Sequence, residues 1–185
     1  MKYAKKPAKR AKIVDNTYRP VSTSGARLEV KVSSNPFEVV RMFEEAVADY
    51  CGSPYCVAVN SCTNALFLAL RYSYFYRPHF TDTIEIPKHT YISVPMQIYH
   101  AGYEHIKFRD EKWSGVYQLK PLSIWDAARR FHHNMYWSNH ISEPNNQNYV
   151  CVSFHWSKIL GIQQGGAILH NDIEFDHLAR RARFD

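Results

Sequence analysis

The sequence predicts an α/β protein built as three layers, α/β/α, around a mostly parallel sheet. Two observations predict it. Short apolar runs alternate with longer stretches whose apolar residues recur at helical spacing. Polar clusters follow directly on several of the apolar runs, and in open α/β sheets ligands bind beyond the carboxyl ends of the strands.

The elements follow in order. Asn35-Pro36 has the form of a helix start, with proline at the first helical position. Phe37, Val40, Phe43, Val47 and Tyr50 continue it at helical spacing, and Cys51-Gly52-Ser53-Pro54 ends it. Residues 55–59 (YCVAV) read as a short buried strand, 60–63 as a polar turn and 65–76 as a second helix. A strand at 83–86 closes at Pro87. Residues 90–101 are helical, provided Pro95 sits in the first turns. Strands follow at 106–108, ending at Asp110, and at 122–125, ending at Asp126. Two more lie at 149–154 and 166–170, and a closing helix spans 172–183. Residues 139–148 are polar and loop-like, and no internal repeat is present.

With 185 residues, one domain is the default: a basic tail and extended arm at 1–35, then an α/β domain at 36–185. An apolar fraction of 45% with 22% charged residues is ordinary for a globular chain. No apolar stretch reaches membrane-span length, and the basic N-terminus has no apolar segment behind it, so neither a span nor a secretory signal is expected. Lys2, Lys5, Lys6, Lys9, Arg10 and Lys12 account for the whole net charge of +6, leaving a formally neutral body. Such a tail either binds an anionic partner or is a solubilising extension. The neutral body argues against nucleic-acid binding as the main activity. Cys51, Cys56, Cys62 and Cys151 lack zinc spacing and fit reduced thiols of a cytoplasmic protein. His132, His133 and His140 have no acidic or thiol companions at ligand spacing, so no metal is expected.

The polar clusters carry the chemistry. Lys158 lies on a polar turn with Ser153, His155 and Ser157, between an apolar strand and Gly165-Gly166. Alone it reads as a solvated loop lysine. In company it suits Schiff-base formation with an aldehyde cofactor such as pyridoxal phosphate. That cofactor needs a carboxylate at its pyridine nitrogen. Asp126, at a strand end, is either that group or a helix cap. Its phosphate needs a cradle. Ser61, Cys62 and Thr63 open a helix and Ser153 ends a strand, although Ser61 and Thr63 would equally serve as plain caps. Tyr91 is an aromatic placed to cover a ring, or a core residue in a chain rich in aromatics. No Walker, nucleophile-elbow or dinucleotide glycine motif is present.

Taken in order, the segments 43–50 (FEEAVADY), 59–66 (VNSCTNAL), 86–93 (IPKHTYIS), Gly102-Tyr103, 108–110 (FRD), 125–128 (WDAA), 153–158 (SFHWSK) and 164–167 (QGGA) resemble the DegT/StrS-like sugar aminotransferases of fold type I. The resemblance covers about residues 37–185. It implies the large domain of that fold and a homodimer. The activity implied is transfer of an amino group, usually from glutamate, onto a nucleotide-linked keto sugar. Pyridoxal phosphate would join Lys158, which would also shuttle the proton. Asp126 would pair with the pyridine nitrogen, Thr63, Ser153 and the Cys62 backbone would hold the phosphate, and Tyr91 would stack on the ring.

Two departures stand out. Arg129 occupies a position where the family often has His or Gln near the cofactor's phenolic oxygen, and its permanent charge would alter the cofactor's electronics. The family's chain is also implied to run about twice as long. The alternatives to a complete aminotransferase are therefore a cofactor- or partner-binding module without turnover, and one half of a split enzyme.

Overall fold

A computed structural model describes residues 36–76, 82–137 and 147–183. The tail and arm read at 1–35, His140 and most of the 139–148 stretch lie outside them. The chain divides into two units, Met1–Val39 and Val40–Asp185. Of the first, only the opening turn of helix α1 (Pro36–Cys51) is described. The second holds the rest of α1 and every other described element.

After α1 come β1 (Tyr55–Val59), α2 (Cys62–Tyr76), β2 (Thr83–Pro87), α3 (Ser93–Ala101) and β3 (His105–Arg109). Then come β4 (Tyr117–Gln118), β5 (Ile124–Asp126), a 3-10 turn at Met135–Trp137, β6 (Tyr149–Ser153), β7 (Gly166–His170) and α4 (Ile173–Ala182). Pro95 sits in the first turn of α3, where its missing N–H removes no helical bond. Asp172 caps α4 by accepting from the N–H groups of Glu174 and Phe175.

One sheet has the order β1-β7-β6-β5-β4, and β2 and β3 form a parallel pair. Paired hydrogen bonds between Glu85 and Lys120 join the two. Alternation along the strands covers both faces of the main sheet. Val57, Cys151 and Ile168 pack under α2 with Ala65, Leu66 and Phe175. Cys56, Val150 and Leu169 face the other way, against Val47 and Cys51 of α1 and against Met135 and Tyr136.

The expected α/β layering is present, but the sheet is mixed and its pairings are mostly antiparallel, not mostly parallel. Only β5 and β6 pair in parallel within it; β1–β7, β6–β7 and β4–β5 are antiparallel. The cause lies in the connections. No helix lies between β4 and β5 or between β6 and β7, and a strand that returns directly beside its predecessor must run antiparallel. Among the described residues, α-helical crossovers stand only in the β1–α2–β2–α3–β3 half. Strands β1, β5 and β6 nevertheless share a direction, so Val59, Asp126 and Ser153 end at one edge of the sheet.

At that edge β7 begins. A Cβ added to Gly166 would lie 2.5 Å from the Cys62 nitrogen and 2.5 Å from the Ser61 carbonyl carbon. The backbone of β7 thus lies directly against the first turn of α2, which only glycine permits. Gly165 before it has φ +140°, a conformation that side chains rarely adopt.

Gly166→Ala is expected to destabilise the protein by about 1–3 kcal/mol or more, because the clash is with backbone. The urea midpoint measures this; an unchanged midpoint would mean that α2 can move off β7 freely.

Candidate active site

Every candidate cofactor residue read from the sequence, Arg129 excepted, lines one cavity of about 360 Å³ at this sheet edge. Ser61, Cys62 and Thr63 form one wall, Ser153 and Lys158 another, with Asp126 and Tyr91 completing it.

The first wall is a helix N-terminus. The polar segment expected as a turn before residue 65 is instead the cap and first turn of α2. Ser61 Oγ accepts from the Asn64 N–H at 3.2 Å, and the first main-chain bond runs from Ala65 N to Ser61 O at 3.0 Å. The N–H groups of Cys62 and Thr63 precede that bond and have no partner within the helix. The Ser61 hydroxyl is thus used as a cap, and the helix end supplies donors and the positive end of its dipole. Burial pushes the Cys62 thiol well above the usual range, and the nearby Asp126 charge adds to this. The thiol stays protonated, and its backbone N–H is what Cys62 can offer an anion.

Thr63 Oγ1 lies 3.0 Å from Ser93 Oγ, which opens α3 and also lines the cavity. Sequence reasoning missed Ser93, although it stands inside the IPKHTYIS segment; a serine at the start of a helix was the available signal. Ser153 ends β6 and is 8% exposed. Tyr91, just before α3, is 72% exposed, so it is a surface aromatic at the cavity and not a core residue.

Asp126 is the last residue of β5 and is 6% exposed. Its Oδ1 accepts from the Ala128 N–H at 2.9 Å and its Oδ2 from the Tyr117 hydroxyl at 2.7 Å. Tyr117 in turn bonds Thr90. Burial raises the Asp126 carboxyl above the ordinary carboxylate range. The two hydrogen bonds and the positive charge of Lys158 work against that rise. Burial and the Asp126 charge hold Tyr117 firmly protonated, so it is a hydrogen-bond donor. Sequence reasoning missed Tyr117 as well: it lies on a strand of two residues in a chain with thirteen tyrosines, and nothing distinguishes it.

Lys158 sits on the loop between β6 and β7. That loop is tied by main-chain bonds from Phe154 N to Gly165 O, Ile162 N to Phe154 O, Trp156 N to Gln163 O and Lys158 N to His155 O, at 2.8–3.0 Å. Gln163 in this loop has φ +119°, which is strained for a residue with a side chain.

Arg129 is not brought to this cavity. It lines a second, larger one of about 770 Å³ that shares Ser157 and Lys158 with the first. A spacing of three residues after Asp126 does not dictate which way the chain leaves β5, and Arg129 is exposed. Among the described residues, no group of three or more His, Cys, Asp or Glu is placed to hold a metal. No helix among them is long and apolar enough to cross a membrane.

The fold is that of an α/β protein matching the fold type I aminotransferases. The DegT/DnrJ/EryC1/StrS aminotransferase family model matches residues 27–110. Over that stretch the chain is similar to this family, whose members use pyridoxal phosphate. Solved structures agree in fold. The sugar aminotransferase CalS13 from Micromonospora echinospora is 19% identical with a TM-score of 0.58, covering 82% of this chain and 51% of its own. DesV of S. venezuelae is 18% identical with a TM-score of 0.55, covering 78% and 47%. The GDP-4-keto-6-deoxymannose-3-dehydratase ColD, seen with GDP-perosamine, is 18% identical with a TM-score of 0.55, covering 76% and 46%. The chain thus spans about half the length of the structures it matches. No curated protein matches the sequence significantly.

The raised Asp126 carboxyl has a measurable consequence. The folded protein binds this proton more tightly than the unfolded chain, so the burial of Asp126 costs stability increasingly as pH rises through and above the usual carboxylate range. Asp126→Asn, which cannot ionise, should therefore gain stability relative to wild type as pH rises through and above the usual carboxylate range. Thermal unfolding of both proteins across that range checks this; parallel curves would contradict it.

Proposed function

We propose that the cavity at the sheet edge holds pyridoxal phosphate and that the protein is an aminotransferase. It would move an amino group, from glutamate, onto a nucleotide-linked keto sugar. One observation carries this reading: a lysine, a buried carboxylate and a helix N-terminus with adjacent hydroxyls meet in one cavity, in a fold shared with sugar aminotransferases.

The residues fit the group. The N–H groups of Cys62 and Thr63, with the hydroxyls of Thr63, Ser93 and Ser153, form a cradle for the phosphate. Asp126 is a buried carboxylate with both oxygens already oriented by donors, which suits a protonated ring nitrogen. When bound, the cofactor supplies an aldehyde and an electron-withdrawing ring. Lys158 Nζ is the amine that holds it and the base that moves a proton at the substrate carbon. Tyr91, which lines the cavity, would cover the ring. The Thr90–Tyr117–Asp126 chain keeps the carboxylate oriented and opposes its protonation. Nucleotide-sugar substrates are supported by the relatives, ColD among them with GDP-perosamine. We further read the protein as a cytoplasmic homodimer. Exposed Tyr91, Ile92, Trp156 and Ile159, on the chain segments that carry cavity residues, are the apolar surface a second copy would cover.

Adding pyridoxal phosphate to the purified protein should give a visible absorbance band, and glutamate should shift it. Product from a panel of nucleotide-linked keto sugars should then fall by about 10³-fold or more in Lys158→Ala. A protein that stays colourless would contradict the reading. A band with no amino-sugar product would favour a cofactor-binding module or one half of a split enzyme.

A further inference from the structure

The second cavity has a charge pattern of its own. His89, Lys112, Trp113, Arg129 and Lys158 line it, together with Glu111. Glu111 is its single acidic residue, and Arg109 pairs with that carboxylate at 2.6 Å. Arg109 is held in place by the carbonyls of Glu85 and Gln118, so this pair is internally balanced. Arg129 and Lys112 make no hydrogen bond or ion pair among the described residues. The cavity therefore carries two uncompensated cations besides Lys158. Trp113 is fixed beside them: its indole N–H donates to the His89 carbonyl at 2.9 Å, and its ring meets Tyr117 edge-on with centroids 4.7 Å apart.

Unpaired cations around a cavity of about 770 Å³, with one rigid aromatic wall, suit an anionic organic ligand. The two cavities meet at Ser157 and Lys158, so a molecule anchored by its anionic group in the second can present its remainder to Lys158. We propose that Arg129 and Lys112 form the substrate's anion-binding site, receiving a carboxylate or phosphate group, and that Arg129 acts on substrate and not on the cofactor. The assignment of a substrate rests on the reading of Lys158 above; the anion site itself does not.

The test titrates the full chain with glutarate and with pyrophosphate by calorimetry, for wild type, Arg129→Gln, Lys112→Gln and Thr63→Val. Both cation variants are at exposed positions and should fold. At least one anion should bind wild type, and its affinity should fall about tenfold or more in Arg129→Gln, less in Lys112→Gln and not in Thr63→Val. Glutarate binding points to the amino donor's carboxylate, pyrophosphate binding to the nucleotide's phosphates. Absence of binding to wild type, equal binding by Arg129→Gln, or loss in Thr63→Val instead would overturn the proposal. Cofactor uptake, followed by absorbance, is read separately. It should be unchanged in Arg129→Gln, and its loss there would overturn the assignment to substrate. Anion binding by a wild-type protein that takes up no cofactor would sink the Lys158 reading and leave the anion site standing.

Discussion

The candidate site depends on one close approach, the backbone of β7 at Gly166 against the first turn of α2. Any side chain there would push the helix away from the sheet. With hydrogen at that position, the N–H groups of Cys62 and Thr63 come to the level of Val59 and Ser153, which flank Gly166 on the neighbouring strands. The same glycine begins the return strand that closes the Lys158 loop. One missing Cβ thus lets the first turn of α2 lie against the strand that closes the Lys158 loop.

Asp126 is the second constraint. A carboxylate with 6% exposure is costly in its charged form, and the fold compensates only in part, through Tyr117, Ala128 and the charge of Lys158. The imbalance that remains favours a cationic partner at the open side of the carboxylate. A site that lowers its own stability in this way, and that adds a strained Gln163 in the lysine loop, has the features of one organised around a ligand.

Much of this was legible in the sequence because it rests on local chemistry. The strand–polar-turn–helix junction at 59–66, the aspartate at a strand end and the lysine before two glycines each have a bland reading alone, and together they mark the sheet edge. Strand direction was not legible. Hydrophobic runs in β6 and β7 look alike in either direction, and only the missing crossover helix between them decides the pairing. Tyr117 was hidden because its role comes from the antiparallel β4–β5 pairing, which sets it opposite Asp126. Arg129 lines the neighbouring cavity because spacing along the chain after β5 does not determine its direction.

The central claim is that Lys158 is the residue that bonds the cofactor. Borohydride reduction of the protein loaded with pyridoxal phosphate, followed by peptide mass mapping, tests it directly. The account predicts one modified peptide, the one that contains Lys158. Stoichiometric label on any other lysine, or none after reduction, would contradict it.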